Sequence, residues 1–306
     1  MIISYSVGKR RRPSKFQCII DRTAQSPPHV RVRNGVPCWT HVVRSWYSFC
    51  LSEKAEITMR LSGAGFDTTS GTLMWWTLAM VAFPEVQHRA QAEIDVMVGR
   101  ARLPTFADAP QLPYVRAIIK EVLRWRPVSE RGLPHEVAED DWYEGMLIPK
   151  GATCMANIWH CNHDRAIFGD DADDFRPERY LNAKGEEVLP GPRETNGEGH
   201  ATFGFGRRIC VGKYLANDSL FINTATILWA ANLERARGEN GKELPPDPDV
   251  FVDNGINTLV FLSMVGFWVV AEFLVCSHPA PYDCIISPRF PEVLSILADE
   301  EGNFED

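Results

Sequence analysis

The chain is predicted to be mainly α with a minor β-sheet, and three features of the sequence predict it. Apolar residues recur at helical spacing through long stretches between residues 52 and 125 and again after residue 213. Prolines punctuate the first of these stretches, at Pro84 and Pro127, where helices are expected to begin or end. Short extended segments rich in β-branched and aromatic residues are confined to residues 142 to 158.

Taken in order, the elements follow from these signals. Residues 1–50 mix arginine, proline and serine without an apolar block; they form a weakly patterned extension with no secretory signal. Ser52 to Phe83 reads as one long helix, with Leu, Met, Ala and Trp on several faces. Pro84 breaks it and supplies a favourable first position for a second helix, Glu85 to Val98. A third helix runs from Tyr114 to Trp125 and ends before Pro127. Trp142 to Ile148 and Thr153 to Ile158 read as short strands joined by the turn Pro149-Lys150-Gly151. Asn182 to His200, rich in Gly, Glu, Asn and Pro, has loop character, and a last long helix follows Gly212, from Lys213 to Ala231.

One block resists this frame. Leu259 to Cys276 is almost wholly apolar, long enough to cross a membrane as a helix or to lie buried in a core, although Glu272 would be costly in lipid.

Composition excludes some classes. With 306 residues, 45% of them hydrophobic, the chain has material for a sizeable core. A net charge of -8 argues against a nucleic-acid partner, and the short run Lys9 to Arg12 reads as a solvated basic patch. The eight cysteines follow no regular spacing, so free thiols in a reducing compartment are expected.

Four groups of residues have the means for chemistry. In Ala64-Gly65-Phe66-Asp67-Thr68-Thr69, small residues precede an acid and two hydroxyls inside a helix, where stability alone favours Ala or Leu. A hydroxyl that bonds to the preceding turn bends a helix, so this segment opens a ligand groove or is a tolerated kink. Glu121 and Arg124 stand three apart on one helical face, as a surface ion pair or, among apolar neighbours, as a buried one that needs Arg179 as a further partner. Cys154, His160, Cys161 and His163 fit no common zinc spacing. Cys210 differs from the other cysteines in its flanks: glycines at 204, 206 and 212 allow close approach to the main chain, and Arg207 and Arg208 favour a thiolate. Redox chemistry, metal ligation and nucleophilic attack all remain open for it.

Taken together and in order, AGFDTT at 64–69, EVLR at 121–124, FRPERY at 175–180 and FGFGRRICVG at 203–212 resemble the cytochrome P-450 superfamily of haem-thiolate monooxygenases, most of all its fungal members. The resemblance spans about Leu51 to Gly255 and resumes near Ser277. It implies a cytochrome P-450 fold truncated at its N-terminal side, with residues 51–306 as the C-terminal part. By resemblance, Cys210 is the axial thiolate on haem iron, pushing electron density toward the metal. Phe203 packs beside the sulfur, Gly204, Gly206 and Gly212 let the loop approach the porphyrin, and Arg208 and His135 hold the propionates. Asp67 and Thr68 relay protons, while Glu121, Arg124 and Arg179 form a structural triad that braces the cysteine loop. Gly63, Phe66 and Val128 to Leu133 line the substrate side, where the charges of Glu130 and Arg131 are unexpected.

The implied reaction inserts one oxygen atom of dioxygen into an apolar organic substrate, with electrons from an NADPH-dependent flavoprotein reductase, at the cytosolic face of the endoplasmic reticulum membrane. Two departures accompany the resemblance. About sixty residues precede AGFDTT, where complete members carry an anchor, gating helices and a further propionate contact. The apolar stretch at 257–276 interrupts a passage that otherwise runs from PPDPDVFVDNGI into SHPAPYDCIISPRFPEV. That insertion, with parts of residues 1–50, reads as translated intron or misassigned coding sequence, against the membrane helix. Two functional classes follow: a haem-dependent monooxygenase, or a non-catalytic remnant that binds haem weakly or not at all.

Overall fold

The computed structural model describes residues 18–20, 30–33, 55–186, 188–189, 191, 195, 197–238, 240–252, 260–264, 267–271 and 276–302. The long first helix, α1, spans Ala55–Ala82. Pro84 occupies the first turn of α2, Pro84–Met97, where its missing N–H would have had no helical partner. The third helix, α3, is Pro113–Trp125 and is buried on nearly every face.

The region predicted as two strands is more finely divided. Strands β3 (His135–Glu136) and β6 (Thr153–Cys154) pair antiparallel, and β4 (Asp141–Tyr143) and β5 (Met146–Ile148) form a hairpin between them. The predicted strand through Ile158 is corrected: Ile158–Asn162 is a short helix, α4. The Asn157 side chain accepts the His160 amide at its N-terminus, a cap that outweighs the β-branched character of Ile158. Between α5, Arg165–Phe168, and α6, Lys213–Ala230, the described residues hold 3-10 turns and an isolated bridge from Leu181 to Val188.

A five-stranded antiparallel sheet, not anticipated from sequence, gathers distant segments in the order β1, β2, β13, β7, β8. Its members are Cys18–Ile20, Val30–Arg33, Asp283–Pro288, Ala231–Arg237 and Glu243–Leu244. Gln87 fastens it to α2, donating to the Leu233 carbonyl at 2.9 Å and accepting the Leu233 amide at 2.8 Å. Strands β9 (Phe251–Val252) and β12 (His278–Pro279) form a second, smaller pair. The last described element is α7, Val293–Gly302.

Residues 260–264 and 267–271, within the apolar insertion, form an antiparallel hairpin, β10–β11. The helical readings of this block are thereby corrected for the described residues. Its Val, Phe and Trp content favours extended backbone over helix. No helix among the described residues is long and apolar enough to cross a membrane.

The core lies where α1, α2, α3 and α6 meet, around the fully buried Trp75, Ile94, Ile118, Leu228 and Trp229. An aromatic wedge extends it: Phe83 stacks on Phe175 at 5.1 Å, and Trp125 meets Phe175 at the same separation. The wedge holds the C-terminal end of α3 against the segment that leads to Arg179.

Candidate functional site

The last turns of α3 place Glu121 and Arg124 on one face, and both are completely buried. The Arg124 guanidinium grips the Glu121 carboxylate with two bonds of 2.8 Å, from Nε to Oε2 and from Nη2 to Oε1. Its remaining N–H groups donate to backbone carbonyls of Asn162, Ala172 and Asp174, at 2.9, 2.6 and 2.9 Å. All five donors are thus used, the condition under which a buried charge pair is tolerated. Arg179 donates from Nε to Glu121 Oε1 at 3.1 Å, and the Arg176 amide donates to the same oxygen at 2.7 Å. The structure therefore brings Glu121, Arg124 and Arg179 together in one satisfied network.

A second set of bonds runs from this network to the cysteine loop. The Thr202 hydroxyl donates to the Leu123 carbonyl in α3 at 2.6 Å. Asn162, at the end of α4, accepts the Ala201 amide at 2.7 Å and donates to Thr202 Oγ1 at 3.0 Å. Lys120 donates to the Glu198 carbonyl at 2.5 Å, and Lys213 pairs with the Glu198 carboxylate at 2.8 Å. Sequence reading did not find Asn162, Thr202 or Lys120. Nothing in their local pattern distinguishes a loop fastener from an ordinary polar residue.

The loop itself turns tightly. Gly204 and Gly206 have φ of 75° and 58°, the left-handed region that strains any residue with a Cβ. The Cys210 amide donates to the Phe203 carbonyl at 2.8 Å, which closes the turn, and Gly206–Arg208 forms a single 3-10 turn at its apex. Cys210 carries a free, exposed thiol. Beside it stand three apolar side chains of unusual exposure, Val211 at 85%, Tyr214 at 71% and Leu215 at 61%. An apolar ledge around an accessible thiol, with Arg207 and Arg208 exposed at its edge, has the chemistry to receive a flat apolar group with anionic substituents. Haem is such a group, and these residues fit it.

The other sequence-predicted residues stand on separate elements. Asp67 and Thr68 lie on α1, where the Thr68 hydroxyl donates back to the Ala64 carbonyl at 2.7 Å. Thr72 repeats the motif toward Thr68 O at 2.9 Å, yet the helix runs unbroken. Burial raises the Asp67 carboxyl above the ordinary aspartate range, toward a group that holds a proton more readily. Ser277, just before β12, donates its amide to Val128 O at 2.9 Å and accepts from Trp75 Nε1 at 3.2 Å, so Val128 packs beside α1. His135 is exposed on β3 opposite Cys154. Among the described residues, no hydrogen bond or ion pair links Asp67, Thr68 or His135 to the cysteine loop. The four residues considered for zinc are dispersed: Cys154 lies on β6, His160 and Cys161 on α4, and His163 stacks on Trp159 at 4.0 Å.

Comparisons with known proteins agree with this arrangement. Residues 47–254 match the family Cytochrome P-450. A cytochrome P-450 monooxygenase of Armillaria gallica is 48% identical over 248 residues, covering 81% of this chain and 44% of that relative. Cytochrome P-450 monooxygenase 58 of Postia placenta is 48% identical over 242 residues, covering 79% and 42%. A solved zebrafish cytochrome P-450 with abiraterone is 29% identical, with a TM-score of 0.57, covering 74% of this chain and 45% of that one. The chain spans less than half the length of these relatives. The family match covers the helices, the charge network and the cysteine turn that build the site, and the chain belongs to the cytochrome P-450 family.

Proposed function

We propose that this chain is the haem-holding part of a monooxygenase that inserts one oxygen atom of dioxygen into an apolar organic substrate. One observation carries the reading: an exposed thiol, Cys210, stands on a glycine-shaped turn beside an apolar ledge, fastened from behind to a fully buried charge network. Bound there, haem supplies dioxygen activation, which no side chain provides.

The chain's own residues supply the rest. Cys210 offers its sulfur as the iron ligand, and Val211, Tyr214 and Leu215 cover the macrocycle. Arg208 and His135 neutralise its propionates. Asp67, with its carboxyl raised by burial, and Thr68 hold and move protons on the α1 side. Phe66 and Val128 to Leu133 face the substrate. Electrons come from an NADPH-dependent flavoprotein reductase, and the endoplasmic reticulum membrane is the proposed location.

The test is to express the chain with haem and record the carbon monoxide spectrum of the reduced protein, alongside C210S. A red-shifted Soret band that C210S abolishes supports the reading. Equal spectra for both proteins, or no haem uptake by the unaltered chain, would sink it.

A further inference from the structure

His200 lies ten residues before Cys210 and is only 2% exposed. The Thr202 amide donates to its Nδ1 at 3.3 Å, so the ring proton belongs on Nε2. Nε2 has no hydrogen-bond partner among the described residues. The charged groups that face the ring, Lys120 and Arg124 on α3, are both positive, and burial followed by these two charges holds the imidazole down to about 3. It is therefore neutral at physiological pH. A buried N–H left unpaired is costly, so leucine or phenylalanine would fill this space more favourably if packing were all the position required. Something other than volume selects histidine.

Its neighbours show what that is. The imidazole faces the Phe203 ring, with centroids 5.3 Å apart and planes inclined by 53°. The Phe203 carbonyl accepts the Cys210 amide, and Thr202, whose amide the imidazole receives, anchors the loop to Leu123. The ring thus touches the loop at the residue tied to α3 and at the residue tied to the thiol.

We propose that His200 is a positioning residue for the cysteine turn, fixing the Phe203 ring and, through the Phe203–Cys210 hydrogen bond, the direction in which the thiol is presented. Its effect on a bound haem rests on Cys210 being the iron ligand. Its effect on the loop does not.

Two variants separate the polar role from mere volume: H200F removes the acceptor, and H200Q restores one. In the chain without haem, amide hydrogen exchange at residues 201–210 is expected to quicken roughly tenfold in H200F and to return toward the original rate in H200Q. In the haem-loaded chain, H200F is expected to displace the Soret band of the reduced carbon monoxide complex and the reduction potential, with H200Q reverting both. If H200F does not fold, H200L serves in its place. Unchanged exchange in the acceptor-less variant, or an H200Q that behaves like H200F, overturns the proposal. Should the unaltered chain take up no haem, the proposed function fails, and the exchange measurement still decides the role of His200.

Discussion

The two sides of the cysteine loop are built on opposite principles. Behind it, Glu121 and Arg124 are wholly buried and every donor of the guanidinium is used. In front, Cys210, Val211 and Tyr214 are exposed. The contrast separates what holds the loop from what the loop presents. Burial makes the rear expensive to disturb, because an unpaired charge in a low-dielectric interior has no water to turn to. Exposure leaves the front free to meet a partner and contributes little to the chain's own stability.

Breaking the rear is expected to have the largest effect. E121A leaves Arg124 buried without its carboxylate and should lower unfolding stability by about 3–5 kcal/mol, measured by urea denaturation. A loss below about 1 kcal/mol would mean that the carbonyls of Asn162, Ala172 and Asp174 suffice to hold the guanidinium.

The next effect sharpens the contrast through pH. His200 has a folded value lowered from 6.5 to about 3, so the unfolded chain binds its proton first as the solution is acidified. Its contribution is complete above 6.5 and is lost as pH falls toward 3, at about 1.4 kcal/mol per pH unit. H200F should flatten that part of the stability profile. An identical slope in the two proteins would show that the histidine is not a source of it.

The smallest effect belongs to the front. Y214S should change stability by less than about 0.5 kcal/mol, since the ring is exposed, while weakening haem retention measured by transfer to apomyoglobin. A Y214S that holds haem as tightly as the unaltered chain would remove the apolar ledge from the site.

Much of the helical frame was legible in the sequence. Apolar periodicity and the positions of Pro84 and Pro127 marked α1, α2 and α3 to within a few residues, because helices are set by contacts three and four residues apart. The order of the motifs pointed to the family that the comparisons then showed. Other parts were not legible. The pairing of 260–264 with 267–271 is one, since an apolar run without turn signals does not declare its period and leaves a membrane helix, a core helix and translated intron as competing readings. The small helix at Ile158 was read as strand, because its capping by Asn157 depends on one side-chain bond.

The sequence by itself determined where helices run and which cysteine sits among glycines and arginines. Only the tertiary structure decided that β1, β2, β7, β8 and β13 join one sheet, that Asn162 and Thr202 tie the cysteine turn to α3, and that the buried His200 receives the Thr202 amide on Nδ1 and faces the Phe203 ring. The reason is physical. Helical hydrogen bonds close over four residues and leave a local periodic trace, whereas strand pairing and buried polar bonds join residues tens to hundreds of positions apart and leave none.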